Sequence, residues 1–515
     1  MNREFRVFGP PGTGKTTYIS RQIGRALSKY DPEDVVACSF TRAAAVELAG
    51  RHTGLPDHNV GTIHSICYHA LGCPPLVEVT PKLLDEWNLR HPSWAVGDEQ
   101  DTLDEPPKRL GPLMAWNVAR AQLSERLNAH PFVLAWEDFK SKHQALDFTD
   151  LLLRAPESIH ARVLFVDEAQ DLTPLQWQIV RRWGAQADTF VAAGDDDQLL
   201  YSFLGADART FLEPLLPENK RVLGQSHRLP KAVFQTAERW ISKLGQFREP
   251  KHYSPRKADG ECETTGMRLA RPEPLVAEVR DRAAEGQTVM ILASCNYMLS
   301  PVLAELRSAG VPYHNPYRPK RADWNPLRSI GERILNFLAC CRQTDRGHPP
   351  PAQVWWPWIK MLKSKQALQR GAKTWIRAKA NAAEAVTEDD LVEHVMTQPL
   401  VEAMESEDVG WLYARSTKRF RKALEYPAAI YKAEGESGLK RTPRVIVGTI
   451  HSVKGGQADV VYLFPDMSYE ARKRLDAEPL EARWAMIRQV YVGMTRARRA
   501  LYLCQPSGKY YWNWN

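Results

Sequence analysis

The stretch Gly9-Pro10-Pro11-Gly12-Thr13-Gly14-Lys15-Thr16-Thr17 constrains this fold more than any other part of the chain. It follows a short apolar run, Phe5 to Phe8, and leads into a helical pattern that continues to Tyr30. A strand feeding a glycine-rich turn feeding a helix aims backbone N–H groups and the positive helix end at one point, which suits a polyphosphate. Gly9, Gly12 and Gly14 allow the close backbone approach this needs. Lys15 is then placed to bridge terminal phosphates and Thr16 to hold Mg²⁺, side by side where the helix begins.

At 515 residues the chain has room for about three or four domain-sized units. Its 69 Lys and Arg against 61 Asp and Glu leave a net charge of +8, which permits polyanion binding without requiring it. The eight cysteines form no C-x-x-C pair, which argues against zinc and a disulfide framework and fits a reducing cytoplasm. Neither a signal peptide nor an apolar run of about 18 residues is present, so no secretion or membrane span is expected.

Further strands carry polar residues at their carboxyl ends, where open α/β sheets bind ligands. Asp34–Arg51 reads as a strand ending at Phe40 and then an alanine-rich helix; Phe40 suits either base stacking or a core. Gly61–Leu71 offers Thr62 and His64 ahead of an apolar helix. Ala161–Gln176 contains an unbroken apolar strand delivering Asp167 and Glu168 to one end, one carboxylate for Mg²⁺ and the other for an attacking water. Asp188–Asp207 gives another strand with Gln198 just beyond it, an amide suited to sensing a γ-phosphate, and Tyr201 and Phe203 available to a partner. A linker near Pro214–Asn219 closes the first half; Arg228 then follows a short strand, within reach of an anion. Strands within Thr288–Asn296, Arg444–Gly456, Asp459–Asp466 and Ala500–Pro506 predict a second α/β sheet. Two mainly helical segments interrupt the pattern. In the second, residues 316–380 hold 14 Lys and Arg against three acids, whereas 381–411 hold nine acids and neither Lys nor Arg. The basic part, Lys360 to Lys379, interleaves with Trp355, Trp356, Trp358 and Trp375. It reads equally as a nucleic-acid face or as a helix paired with the acidic stretch.

Taken together, these segments resemble the UvrD/Rep family of superfamily 1 helicases. GPPGTGKTT, SFTRAAAVELAGR, GTIHSICY, LDFTDLLL, VDEAQDLTPLQ, GDDDQLLYSFLGAD, LGQSHRLP, TIHSVKGGQADVVYL and QVYVGMTRARRAL fall in the family order and span more than half the chain. The resemblance implies an α/β fold of two RecA-like P-loop lobes with parallel sheets, each interrupted by a mainly helical accessory insertion. The lobes would be 1–71 with 145–215 and 216–315 with 440–515, and the insertions 72–144 and 316–439. It implies an ATP- and Mg²⁺-dependent, 3′ to 5′ translocase and helicase on single-stranded and tailed duplex DNA. Lys15 and Thr16 would hold phosphate and metal, Asp167 the metal, and Glu168 the water. Gln198 and Arg228 would contact the γ-phosphate, with Arg496 as arginine finger from the second lobe. Phe40, Thr62, His64, Tyr201, Phe203, Thr449 and His451 would contact the strand. A protein-stripping translocase and an ATP-gated binding switch are the rival readings.

Departures from the family pattern carry their own expectations. No residue matches the upstream glutamine that reads adenine, so nucleotide choice should be slack. His227 stands where a base-stacking tyrosine is common, and Gln457 replaces a ribose-contacting carboxylate. Phe203 replaces a tryptophan, and the span between Asp466 and Trp484 leaves Tyr469 as the candidate duplex-splitting aromatic.

Overall fold

The computed structural model describes residues 4–40, 45, 48–50, 54–97, 111–318, 325–365 and 367–514. Most of the alanine-rich helix expected after Phe40, and the acidic stretch 98–105, lie outside these residues. Six strands, β1 (Glu4–Phe8), β2 (Val35–Ser39), β3 (Val60–Thr62), β4 (Val163–Asp167), β5 (Thr189–Gly194) and β6 (Lys220–Val222), form one sheet in the order β3-β2-β4-β5-β1-β6. All five pairings are parallel.

The central strands are apolar runs because both faces are covered, and successive side chains point to opposite faces. Val7, Val35, Ala37, Val163, Phe165 and Val191 pack with Ile19, Ile23 and Ala26 of the helix Lys15–Leu27. Their neighbours Phe8, Val36, Cys38, Leu164, Val166 and Phe190 pack with Ile63, Ile66, Trp177, Val180 and Trp183. In-register pairing of Phe8 with Gly194 and of Ser39 with Asp167 brings the carboxyl ends of four strands to one edge. The strand before Arg228 was expected to open the second half, and it does not: Arg6, Val7 and Phe8 pair with Lys220, Arg221 and Val222, making β6 the edge of the first sheet.

A second six-stranded sheet comprises β7 (Glu261–Thr264), β8 (Val289–Ala293), β9 (Tyr313–His314), β10 (Val445–Thr449), β11 (Ala458–Leu463) and β12 (Ala497–Leu503), in the order β7-β12-β11-β8-β10-β9. The four expected strands are there; β7 and β9 are additions, too short or too polar to read as apolar runs. The fold class is thus mixed α/β with two parallel-strand sheets. By compactness the chain forms two units, residues 1–266 with 292–296 and 448–515, and residues 267–291 with 297–447.

Within the first unit, the insertion near 72–144 folds as the helices Pro81–Arg90, Pro112–Ala121 and Pro131–Lys142. Helical periodicity in the sequence runs from about Leu113 to Leu127, but the helix stops at Ala121, and Leu123 takes a left-handed backbone. Trp87, Trp116, Phe132, Trp136 and Phe139 build a separate aromatic core. A buried ion network adjoins it: Arg120 and Lys140 donate to Asp147 at 2.7 and 2.8 Å and to Asp150 at 2.9 and 2.5 Å. Trp136 Nε1 donates to the same Asp147 carboxylate at 3.0 Å.

The second unit is mainly helical, with Pro326–Asp345 and Lys418–Lys440 among its longer elements and Ala352–Ile359 among its shorter ones. Trp355 and Trp358, a turn apart on one helix, are fully buried and donate to Pro350 O and Cys340 Sγ. They are core, not the stacking face one reading proposed. Arg342 pairs with Glu407 at 2.6 Å and Lys379 with Glu384 at 2.7 Å, contacts that favour pairing between the basic and acidic stretches.

Trp136 has no exposure and meets Trp87 edge-on at 4.7 Å. Trp136→Ala is expected to cost about 3–5 kcal/mol of local stability. Limited proteolysis should therefore cut within 72–144 well before the first sheet; a cleavage pattern like that of the wild type would contradict this role.

Candidate active site

The glycine-rich turn leaves β1 with Gly9 N donating to Gly194 O at 2.9 Å and enters the helix Lys15–Leu27 through Gly14, whose φ is 76°. Gly12 also has positive φ, and a Cβ there would lie 2.3 Å from Arg228 Cβ. The tight approach thus serves a neighbouring chain segment as well: Ser226 Oγ donates to Pro11 O at 2.7 Å and His227 N to Gly12 O at 2.8 Å. Thr13 Oγ1 closes the turn on Pro10 O at 2.7 Å.

At the end of β4, Lys15 Nζ donates to Asp167 Oδ1 at 2.8 Å and to Glu168 Oε1. Thr16 Oγ1 lies 3.4 Å from Asp167 Oδ2. Glu168 has φ 52°, a left-handed turn for a residue with a side chain, which ends β4 abruptly. Burial opposes the charge on Lys15, and Asp167 and Glu168 outweigh it, so the ammonium is held above the ordinary lysine range. Burial likewise opposes the charge on Glu168, yet Lys15 and Lys454 hold its carboxyl well below the usual range. These four expected residues come together as three hard oxygen donors and a cation, suited to a metal-bound phosphate.

Gln198, Arg228 and Arg496 also converge. Gln198 Nε2 donates to Asp195 Oδ2 at 2.6 Å, and Arg496 Nη2 donates to Gln198 Oε1 at 2.9 Å. Arg496 is almost fully buried, with Nε on Val492 O at 2.8 Å and Nη1 on Gly456 O at 3.2 Å. Arg228 Nε donates to Gln457 Oε1 at 3.1 Å and its Nη1 to Thr495 O at 3.2 Å. Gln457, expected to face a ribose, thus holds an arginine in this arrangement. His227 is exposed beside the turn.

The residues expected to meet a strand divide into two sets. Thr62 and Thr449 each start a helical turn in the same way: Ser65 N donates to Thr62 Oγ1 and Ser452 N to Thr449 Oγ1, both at 3.1 Å. Phe40, Tyr201, Phe203 and His451 form a ring cluster, with Phe40 and Tyr201 5.2 Å apart and Phe203 and His451 5.7 Å apart. Tyr201 is buried within it, leaving Phe40 and Phe203 partly exposed. His64 stands apart from that cluster, edge-on to Phe148 at 6.3 Å. Tyr469 is 61% exposed and opens the helix Tyr469–Ala477.

Sequence reasoning passed over Lys454, Gln170 and Asp171. Lys454 Nζ donates to Asp171 Oδ2, lies 3.5 Å from Glu168 Oε2, and sits 5.1 Å from the Tyr201 ring centre. Gln170 Nε2 donates to Glu168 Oε2 at 2.6 Å. Their position in VDEAQD and SVKGG was the available signal.

The chain is similar to several known proteins. A family model described as an AAA domain matches residues 1–204. The ATP-dependent DNA helicase UvrD2 of Mycobacterium tuberculosis is 24% identical over 556 residues, covering 96% of this chain and 75% of the relative. The ATP-dependent DNA helicase Rep of Buchnera aphidicola is 24% identical over 48% of this chain and 42% of its own length. The ATP-dependent DNA helicase PcrA of Staphylococcus epidermidis is 26% identical over 49% of this chain and 39% of its own length.

Burial pushes the His451 imidazole down to about 4, below its ordinary 6.5. A group whose folded value is depressed contributes fully above its unfolded value and loses that contribution as pH falls through the folded one. Stability should therefore decline through this group between pH 6.5 and about 4. His451→Gln is expected to lessen the fall in melting temperature across that window; a fall equal to that of the wild type would remove His451 as a cause.

Proposed function

Because the chain is a member of the UvrD/Rep family of superfamily 1 DNA helicases, an ATP-hydrolysing enzyme, we propose that it moves 3′ to 5′ along single-stranded DNA and separates tailed duplexes. One observation carries this reading: Arg496, from a segment almost 300 residues beyond Gln198, reaches that amide at the edge where Lys15, Asp167 and Glu168 meet. The lobes are proposed as 1–71 with 145–215 and 216–315 with 440–515, β6 excepted, with the helical insertions between them.

In the proposed cycle Lys15 exchanges Asp167 and Glu168 for the β- and γ-phosphates of ATP, helped by the N–H groups of Gly12, Thr13 and Gly14. Mg²⁺ would be held by Thr16 and Asp167, whose oxygens suit a hard cation, and supplies charge neutralisation between phosphates. Glu168, released from Lys15 and still beside Lys454 and Gln170, orients water. Gln198 and Arg228 contact the γ-phosphate. Arg496 stabilises charge developing there, so hydrolysis depends on how the segment carrying Arg496 sits against β5. Tyr201, in the ring cluster with Phe40, Phe203 and His451, lies beside Lys454, which pairs with Glu168, so a base stacking on this cluster bears on the same carboxylate. Thr62, His64 and Thr449 would grip backbone phosphates.

Steady-state ATP hydrolysis with and without single strands, together with unwinding of blunt, 3′-tailed and 5′-tailed duplexes, tests the proposal. Glu168→Gln should retain nucleotide binding and lose turnover by at least about 100-fold. Arg496→Ala should lose about 1,000-fold in strand-stimulated turnover while ATP affinity changes far less. Turnover in Glu168→Gln within a few fold of wild type, or unwinding only from 5′ tails, would defeat the reading.

A further inference from the structure

We propose that Lys251 is a positioning residue that fixes the orientation of the Gln198 amide by holding Asp195. The inference rests on the reading of Gln198 as a γ-phosphate contact and adds a residue to it that no motif contains. Lys251 has a fully buried side chain, and its ammonium lies 2.9 Å from Asp195 Oδ1, 2.7 Å from Asp196 Oδ1 and 2.6 Å from Asp197 Oδ2. Three adjacent carboxylates buried together are tenable only with cations among them.

All three carboxylates have further partners. Asp197 is forked by Arg248 at 2.9 and 2.6 Å, and Asp196 Oδ2 accepts from Glu249 N at 2.9 Å. The charge of Asp195 is met by Lys251, its Oδ1 also accepts from Asp197 N at 3.3 Å, and its second oxygen accepts from Gln198 Nε2 at 2.6 Å.

The chemistry of the neighbours settles which way the amide points. A carboxylate oxygen only accepts, so the amide nitrogen faces Asp195; a guanidinium only donates, so the amide oxygen faces Arg496. The second N–H of Gln198 is thereby left to donate to an anion between them. If Asp195 moves or loses its charge, nothing holds the nitrogen end, and a flipped amide would set its N–H groups against Arg496. Lys251 thus acts on the reacting phosphate through Asp195 and Gln198, without touching it.

A double-mutant cycle tests this in the full-length chain, with ATP hydrolysis stimulated by oligo(dT) as the readout. Lys251→Met should lower kcat at least about tenfold while KM for ATP stays within about threefold. Combined with Gln198→Ala, it should lower kcat no further than Gln198→Ala alone, within about twofold, because both remove the same contact. Losses that multiply, or a folded Lys251→Met with unchanged kcat, overturn the proposal. Should Lys251→Met fail to fold, Asp195→Asn completes the same cycle: its amide keeps the size and turns a donor toward Lys251 or Gln198, both donors themselves. Multiplied losses or wild-type kcat in Asp195→Asn overturn the proposal equally. Failure of the ATPase reading is seen separately, as wild-type protein that does not hydrolyse ATP or as undiminished turnover in Glu168→Gln.

Discussion

A single ammonium group seated between two carboxylates ties the phosphate-binding turn to the rest of the first sheet. Lys15 begins a helix after β1, whereas Asp167 and Glu168 end β4, two strands away in the sheet order. Glu168 must take a left-handed backbone to reach Lys15, at a cost of about 1–2 kcal/mol. Opposite charges about 4 Å apart attract by roughly 4 kcal/mol at an intermediate effective dielectric, an attraction that burial of the groups offsets in part. Both groups stay charged despite burial because Asp167 and Glu168 face Lys15, and Lys15 and Lys454 face Glu168. A nucleotide phosphate would enter as a replacement counter-ion for Lys15, releasing Glu168 from the partner that holds it.

Lys454 gives that carboxylate a second tie, this one on the side of the aromatic cluster. Its ammonium is shared by Asp171 and Glu168 and rests near the Tyr201 ring. Tyr201 is in turn in ring contact with Phe40, Phe203 and His451. Electrostatics and packing meet here, since Lys454 contacts both the Tyr201 ring and Glu168. In the proposed motor this is a short physical route from a stacked base to the group that orients water.

Much of this was legible in the sequence because buried parallel strands are apolar on both faces and deliver their polar residues at one end. That pattern located β1, β2, β4, β5, β8, β10, β11 and β12 and brought Lys15, Thr16, Asp167, Glu168 and Gln198 into one neighbourhood, whereas Arg496 was implied only by the family resemblance. It failed for β6, whose Lys-Arg-Val has no apolar run and gains its place only by register with Arg6, Val7 and Phe8. It failed again for Lys251, a lone lysine in a polar segment whose three partners lie over 50 residues earlier. Composition misled at Trp355 and Trp358: tryptophans among lysines suggested a stacking surface, but their three-residue spacing puts both on one helical face, which is inward.

One repetition bears on the proposed stepping. Gly-Thr-Ile-His-Ser occurs at residues 61–65 and again at 448–452, at the carboxyl ends of β3 and β10. Both copies adopt the same local solution, since Ser65 Oγ donates to Thr62 O at 2.8 Å and Ser452 Oγ to Thr449 O at 2.9 Å, alongside the matching serine N–H bonds. The surroundings differ: His64 has an edge contact with Phe148, whereas His451 joins the ring cluster and meets Gln489. Equal backbone turns present equal hydrogen-bonding groups, so each sheet would offer a phosphate the same local grip. Unequal histidine environments would make the two grips respond differently to a stacked base. Directional movement requires such a pairing, because two grips that tightened and released together would hold a strand without advancing it.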